Sequence, residues 1–317
     1  MPYNNVIDRS DANALIPVQE SQEILKVATE QSVVLRFLRR ATMSSKTMRM
    51  PVLSTLPVAY WVNGDTGLKQ TTEAQWQQKF ITAEELAVIV PIPESVVDDA
   101  SFDIWGEVRP LVAEAIGAAL DAAVLFGVNR PASWPESIVE LATLKGSNIV
   151  RGAVNGQDLA GDISDAMALV EADGFDVNGF IAKTGLRAAF RNLRDANGQF
   201  LFSPSMQAAT PDLLWGLPLR YVKHAGAWVP AQAEMIVGDW QQAIIAIRQD
   251  INFKILDQAV ISDAAGQVVL NLAQQDMVAM RVTFRAGYQV ANPVTPLNPN
   301  EATRSPFAVL RPAGWRP

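Results

Sequence analysis

His224 lies in the stretch Lys-His-Ala-Gly-Ala-Trp-Val and is the only imidazole in the 317-residue chain. A serine or threonine nucleophile activated by an imidazole would depend on it alone. Its strand-like, apolar surroundings fit an ordinary surface or subunit-contact side chain better than a general base. Asp98 and Asp99 form the other candidate pair, for a metal ion or for acid–base work. They stand just ahead of a long apolar-periodic stretch, where carboxylates more often serve a turn or the positive end of a helix. Cysteine is absent, which removes disulfides, thiolate metal sites and a thiol nucleophile. Neither a GxxxxGK(S/T) phosphate loop, nor a GxGxxG turn, nor a GxSxG elbow occurs. Eight Trp and twelve Phe are dispersed and do not form a base-stacking platform interleaved with Lys and Arg. The chemistry-bearing residues therefore argue for no enzyme, no cofactor and no metal, with an enzyme of undefined type as the alternative from another class.

The elements that would have to position those residues are more informative. Ile104, Val108, Leu111, Val112, Ala115, Ile116, Ala119, Leu120, Ala123 and Val124 recur at spacings of three and four, which predicts a long amphipathic helix. Glu107, Glu114 and Asp121 fall seven apart and are expected to share a polar stripe on its other side. Gly127 stands where a left-handed cap would end the helix. Pro110 either kinks it after one turn or opens the helix proper. Counted from Phe102, the helix would be about 37 Å long, at about 1.5 Å per residue. That length suits a structural spine.

Composition bounds the rest. Hydrophobic residues make up 49% of the chain, enough for a sizeable core in roughly two domains. Charged residues are only 19%, so much of the surface is neutral or apolar, which hints at extensive subunit contact. A net charge of -7 argues against a protein that grips nucleic acid. The first 17 residues lack the regions of a signal peptide, and Glu114 and Asp121 make the apolar helix a poor membrane span. A soluble chain with no membrane partner is expected.

In chain order, Val18 to Arg40 suggests a helix and then an irregular apolar run, with Arg36, Arg39 and Arg40 as a solvated face or a partner contact. Residues 47–62 read as an extended, Pro-broken segment, and a polar Gly-containing tip follows. The stretch ITAEELAVIVPIPESVVDD then returns as a strand. This is either a hairpin arm that must lie on another surface or a meander inside one domain. Helical spacing resumes over 157–172, Gly179–Ala182 is a short buried strand, and Thr184 is placed to cap a further helix. Met235–Asp239, with its Gly-Asp turn, and Ala243–Arg248 read as two strands of a hairpin. Alternation at Val278, Met280, Val282 and Phe284 marks one face of a late strand. The last twenty residues are Pro-rich, carry Arg304, Arg311 and Arg316, and are expected to be irregular.

The order of these elements resembles the major capsid protein of tailed bacteriophages, the Hong Kong ninety-seven-like family. The resemblance rests on Ala59-Tyr60-Trp61-Val62, on Pro93-Glu94 through Asp98-Asp99 ahead of the spine, and on Leu125-Phe126-Gly127 at its end. It continues through the Arg194–Gly198 turn, Leu214–Leu219, Gly238-Asp239-Trp240 and the strand that closes in Arg281, Arg285 and Gly287. It runs from about Val18 to Leu297. The resemblance implies an α+β fold with an N-terminal arm (1–46), an extended β-hairpin loop (47–92) and a peripheral domain with the spine helix (93–156). An axial domain (157–234), return strands completing both domains (235–297) and a C-terminal tail (298–317) follow.

A structural subunit is implied, self-assembling into pentamers and hexamers of an icosahedral shell that encloses double-stranded DNA without sequence-specific binding. An encapsulin-like compartment is the alternative within the fold. The implied partners are further copies of the chain, a portal protein, and a separate scaffolding or decoration protein. The implied setting is the virion, assembled in the host cytoplasm. Expected inter-subunit contacts are Trp61, Lys69 and Trp76 on the extended loop and Arg304, Phe307 and Trp315 on the tail. Some relatives weld a loop lysine to a neighbour's asparagine beside a glutamate. Here Lys69 and Asn271 would have only the shorter Asp276 as the acid, so a shell without covalent links is expected.

Overall fold

The computed structural model describes residues 32–61, 69, 71–98, 104–154, 158–193, 213–224, 226–263 and 265–316. The short helix α1 (Val33–Phe37) leads into β1 (Arg39–Thr42), then β2 (Thr47–Thr55), β3 (Gln75–Thr82) and β4 (Glu84–Pro93). Helices α2 (Glu94–Asp98), α3 (Ile104–Phe126) and α4 (Ile138–Leu144) follow, and then β5 (Asn148–Val150). Next come α5 (Leu159–Ala172), β6 (Gly179–Lys183), α6 (Leu186–Arg191), β7 (Leu213–Leu214), β8 (Leu217–Val222) and β9 (Met235–Gly238). The chain closes with β10 (Ala243–Leu256), β11 (Val260–Ser262), β12 (Val268–Asn271), β13 (Met277–Val290) and β14 (Phe307–Arg311).

Two sheets organise the molecule. A four-stranded sheet runs β1-β10-β13-β4, and a six-stranded sheet runs β5-β14-β9-β6-β8-β7. Helix α3 lies over the first sheet because both present apolar side chains at the right period. Val108, Val112, Ile116, Leu120 and Val124, four apart, are all buried, and so are Met280, Val282, Phe284, Ala286 and Tyr288, two apart on β13. They share one core. Each such side chain contributes about 1.5–3 kcal/mol by leaving water. A second core forms where Leu159, Ile163, Ala166 and Val170 of α5 pack on the six-stranded sheet.

The helix continues through Pro110. The carbonyl that the proline leaves without its amide partner belongs to Gly106, at an exposed position open to solvent. Gly127 closes the helix at φ +73°, donating to Ala123 O at 3.0 Å, as a left-handed cap requires. Leu111, Ala115 and Ala119, four apart, are exposed, outside the buried stripe they were expected to join. Asp121 departs the other way: it is fully buried. One heptad turns a helix by only about 20°, so Asp121 lies nearly below Glu114; it is buried because α1 packs over that part of the helix and donates to its carboxylate from Ser32, Val33 and Val34.

The two sheets meet at Trp240. The strands expected to pair as a hairpin about Gly238-Asp239 separate instead, β9 into the six-stranded sheet and β10 into the four-stranded one. A single 3-10 turn, Trp240–Gln242, divides them, with the Asp239 carboxylate accepting from Gln241 N at 3.1 Å. The indole of Trp240 is buried, donates to Gly179 O at 2.9 Å, and packs against Phe37 at 5.5 Å and Phe307 at 5.1 Å. A Cβ on Gly179 would meet the Phe37 ring at 2.5 Å, so only glycine fits there.

Three more expectations give way. The hairpin expected over 47–92 ends at Thr82, because β2 pairs with β3 while β4 pairs with β13 in the body of the molecule. The tail expected to be irregular contains β14, which inserts between β5 and β9 of the six-stranded sheet. Its prolines lie outside the paired segment, at Pro306 and Pro312, where they remove no ladder hydrogen bond. Thr184 does not cap α6, whose first residue follows Gly185; its hydroxyl donates to Val222 O at 2.8 Å.

Candidate assembly surfaces

The hairpin of β2 and β3 is a two-stranded sheet of its own. A lone ribbon cannot bury two faces, so its stability comes from its root. There Ile81, Met43, Ala83, Ile244 and Ala246 form a small core beneath it. Gln289 Nε2 donates to Phe80 O at 2.9 Å, and Val294 N donates to Leu53 O at 3.0 Å. Lys79 reaches Val290 O at 3.4 Å and Glu301 at 3.5 Å. Burial lowers the Lys79 ammonium pKa from its usual value, with Glu301 opposing the shift.

Beyond that root the arm carries apolar side chains in the open. Trp61 is 98% exposed, Trp76 66%, Val58 69% and Phe80 52%. Lys69 is exposed among them. A tryptophan contributes about 150–250 Å² on burial. A partner that covered Trp61 and Trp76 would therefore gain several kcal/mol at about 25 cal/mol per Å², before the costs of association. The three arm residues expected at subunit contacts are thus available to a partner within one chain.

The three tail residues are not equally available. Arg304 is buried: Nε and one terminal nitrogen donate to Asn292 Oδ1 and Asn292 O, both at 3.1 Å, and the other donates to Asn298 O at 2.9 Å. Phe307 is fully buried against Trp240. Trp315 is half-buried and lies under the Arg311 guanidinium, 4.3 Å from its carbon. Arg304 and Phe307 therefore hold the tail inside its own subunit, and neither presents an exposed side chain on the single chain. The buried arginines of the tail are held by carbonyl and hydroxyl oxygens: Arg311 donates to Gln232 O and to Thr143 Oγ1. Burial pulls the Arg311 pKa down to about 10.

The candidate chemistry is also placed. His224 Nδ1 lies 3.6 Å from Glu114 Oε1, between the end of β8 and the spine helix α3. Asp98 is exposed, and Asp99 falls outside the described residues. No group of three metal-ligating side chains converges among the described residues. No described helix is long and apolar enough to cross a membrane. Asn271 and Asp276 bracket a tight turn in which Asn271 N donates to Gln275 Oε1 at 3.2 Å and Glu94 N donates to Asp276 O at 2.8 Å.

Sequence reasoning missed one network. Glu234 is buried and binds Arg151 at 3.0 Å as well as Lys183. It ties the loop after β5 to the end of β6. A lone acid in the apolar-flanked sequence Gln-Ala-Glu-Met-Ile gave no signal of two distant cations.

The model of the phage capsid family matches residues 12–295. The chain is 27% identical over 292 residues to the major capsid protein of Staphylococcus phage 80alpha, covering 91% of this chain and 86% of the relative. A solved structure from Microbacterium phage Oxtober96 is 38% identical, covers 96% of each chain and superposes with a TM-score of 0.79. One from Mycobacterium phage Cain is 34% identical, covers 90% of this chain and 91% of that one, with a TM-score of 0.78. With sequence and fold matched over nearly the whole length, the chain belongs to the phage capsid family: it is a tailed-phage major capsid protein, a self-assembling structural component of the virion shell and not an enzyme.

Proposed function

We propose that this subunit forms the pentamers and hexamers of an icosahedral shell around double-stranded DNA, and that its β2–β3 arm locks them by lying across a neighbour. The observation that carries this reading is the arm itself, with its root fastened to β13 and its outer part presenting Trp61, Trp76 and Phe80 to solvent. Such a surface and whatever receives it are different patches of one molecule. Contacts of that kind are heterologous and close into rings. Many such contacts per subunit sum to a stable particle. The four-stranded sheet with α3 corresponds to a peripheral domain in this reading, and the six-stranded sheet to an axial one. A portal protein, a separate scaffolding or decoration protein, and assembly in the host cytoplasm belong to the same proposal. A chain with net charge -7 suits a container that encloses DNA without adhering to it. The phage origin of its relatives favours a genome container over a cargo compartment.

Replacing residues 57–73 by Gly-Gly tests the role of the arm, because it keeps the paired root from Thr47 to Leu53 and from Trp76 to Thr82. The variant should keep its circular dichroism spectrum and lose complete shells by electron microscopy. Normal particles from it would refute the proposal.

A further inference from the structure

We infer that Lys254 and Arg281 form a cationic rung on the open face of the four-stranded sheet, and that it seats the acidic corner at α2 of a second copy of the chain. The inference rests on the reading of the chain as a shell subunit and names one of its contacts.

The strand register makes the rung. Lys254 of β10 stands directly opposite Arg281 of β13, and Arg281 stands opposite Ile89 of β4 on its other side. Residues directly opposite across antiparallel strands share a face. Their sequence neighbours Phe253, Val282 and Val88 belong to the core under α3, so this rung points away from it. Both cations are exposed, and Ile89 is 43% exposed beside them. Among the described residues, neither Lys254 nor Arg281 has an ion pair or a side-chain hydrogen bond.

Like charges directly opposite each other weaken a sheet. Four residues further along β13 on the same face, the same sheet avoids the problem. Arg285 stands opposite Glu85 of β4, and the two are joined at 2.7 Å and 2.6 Å. At Arg281 the equivalent place on β4 holds an isoleucine, and the place on β10 holds a second cation. The isolated subunit gains nothing from this arrangement, whereas an acidic partner surface would.

Charge complementarity identifies the partner. The chain carries 33 acids against 26 bases, so another copy is on average an anion. Glu94 and Asp98, four apart on one side of α2, are exposed, and so is Asp276, whose carbonyl receives Glu94 N. This corner lies at the far end of β4. The register places Pro93 opposite Met277, four residues along β13 from Arg281, which is roughly 13 Å at about 3.3 Å per residue. Rung and corner are thus separate patches of opposite sign on one subunit, the arrangement a heterologous contact needs. The exposed Ile89 gives the rung an apolar neighbour that suits a protein surface better than a phosphodiester backbone.

The test uses the full chain, with particle formation followed by light scattering and electron microscopy. The neutral pair Lys254→Gln/Arg281→Gln should raise the thermal midpoint of the subunit, since the repulsion is gone. It should also raise the concentration at half-assembly about tenfold and flatten its dependence on salt. Lys254→Glu/Arg281→Glu and Glu94→Lys/Asp98→Lys should each abolish particles, and the four changes combined in one chain should restore them. Normal assembly of the charge-reversed rung overturns the inference, as does a combined variant that fails to assemble while its circular dichroism stays native. Normal shells that fail to retain DNA would assign the rung to phosphate and overturn it equally. A wild-type chain that forms no particles would instead remove the shell reading, and this contact with it.

Discussion

The carboxylate of Asp121, in the middle of the spine helix, accepts a hydrogen bond at 2.7 Å from the hydroxyl of Ser32, 89 positions earlier. Its two oxygens also take the amides of Val33 and Val34, each at 3.1 Å. Ser32 in turn accepts from Leu35 N at 3.2 Å, capping α1. One buried side chain therefore fixes the start of α1 against the spine. Asp121→Ala leaves two amides and a hydroxyl without their acceptor and should cost about 2–4 kcal/mol in urea unfolding. A loss below about half a kcal/mol would show that the contact is dispensable.

The same residue gives a pH signature. Burial raises the Asp121 pKa from its ordinary value of 3.8, against the opposing pull of Ser32, Val34 and Val33. The folded chain then holds this proton more tightly than the unfolded one. The resulting contribution to stability is fully present below pH 3.8 and is lost as the pH rises through the raised folded value. Measured against Asp121→Asn, which does not titrate, the wild type should lose relative stability as the pH rises above 3.8. A gain over that rise would contradict the assignment.

The two sides of the spine should respond differently. Ile116 is buried in the core, so Ile116→Asp places an unpaired charge there and should cost about 4 kcal/mol or more. Glu114 is exposed beside His224, and Glu114→Gln should stay within about half a kcal/mol. Urea midpoints compare the two, and equal losses would mean the faces are misassigned.

The end of the chain should matter to folding as much as to the particle. Removing residues 306–317 takes β14 out of the sheet between β5 and β9 and opens both cores around Phe307 and Leu310. The truncated chain should show no cooperative thermal transition, whereas removing only 316–317 should leave the midpoint unchanged. A cooperative, soluble product of the longer truncation would return this strand to the status of an appendage.

Covalent welding of subunits is not expected. Lys69 is exposed, and Asp276, also exposed, is one methylene shorter than a glutamate. Amide formation needs amine, carboxamide and base held together in a dry site. Particles boiled in detergent should run as one band at 34.5 kDa. A ladder that disappears in Lys69→Ala would show the bond.

The legible parts of this fold were those with one period and one environment. The spine from Ile104 and the alternation from Val278 to Phe284 announced their faces because each packs on a single core. The arm was visible as strand, polar tip and strand, but not its end. Only Ala83 separates β3 from β4, and nothing local says that the chain changes sheets there. Strand β14 was hidden because the prolines at 306 and 312 look like breakers, while the partners that make the segment a strand, β5 and β9, are remote in sequence. Asp121 was misplaced for the same reason: the donors that hold its carboxylate belong to residues 32–34, remote in sequence. The arm's candidate contacts could be read from exposed tryptophans in a polar stretch. The tail's could not, because burial there is decided by strand insertion.

Electron microscopy of the purified full-length chain tests the central claim most directly. The account predicts closed, uniform shells, together with the pentamers and hexamers from which they are built. A chain that remains monomeric at every concentration, or that forms only irregular aggregates, would contradict it.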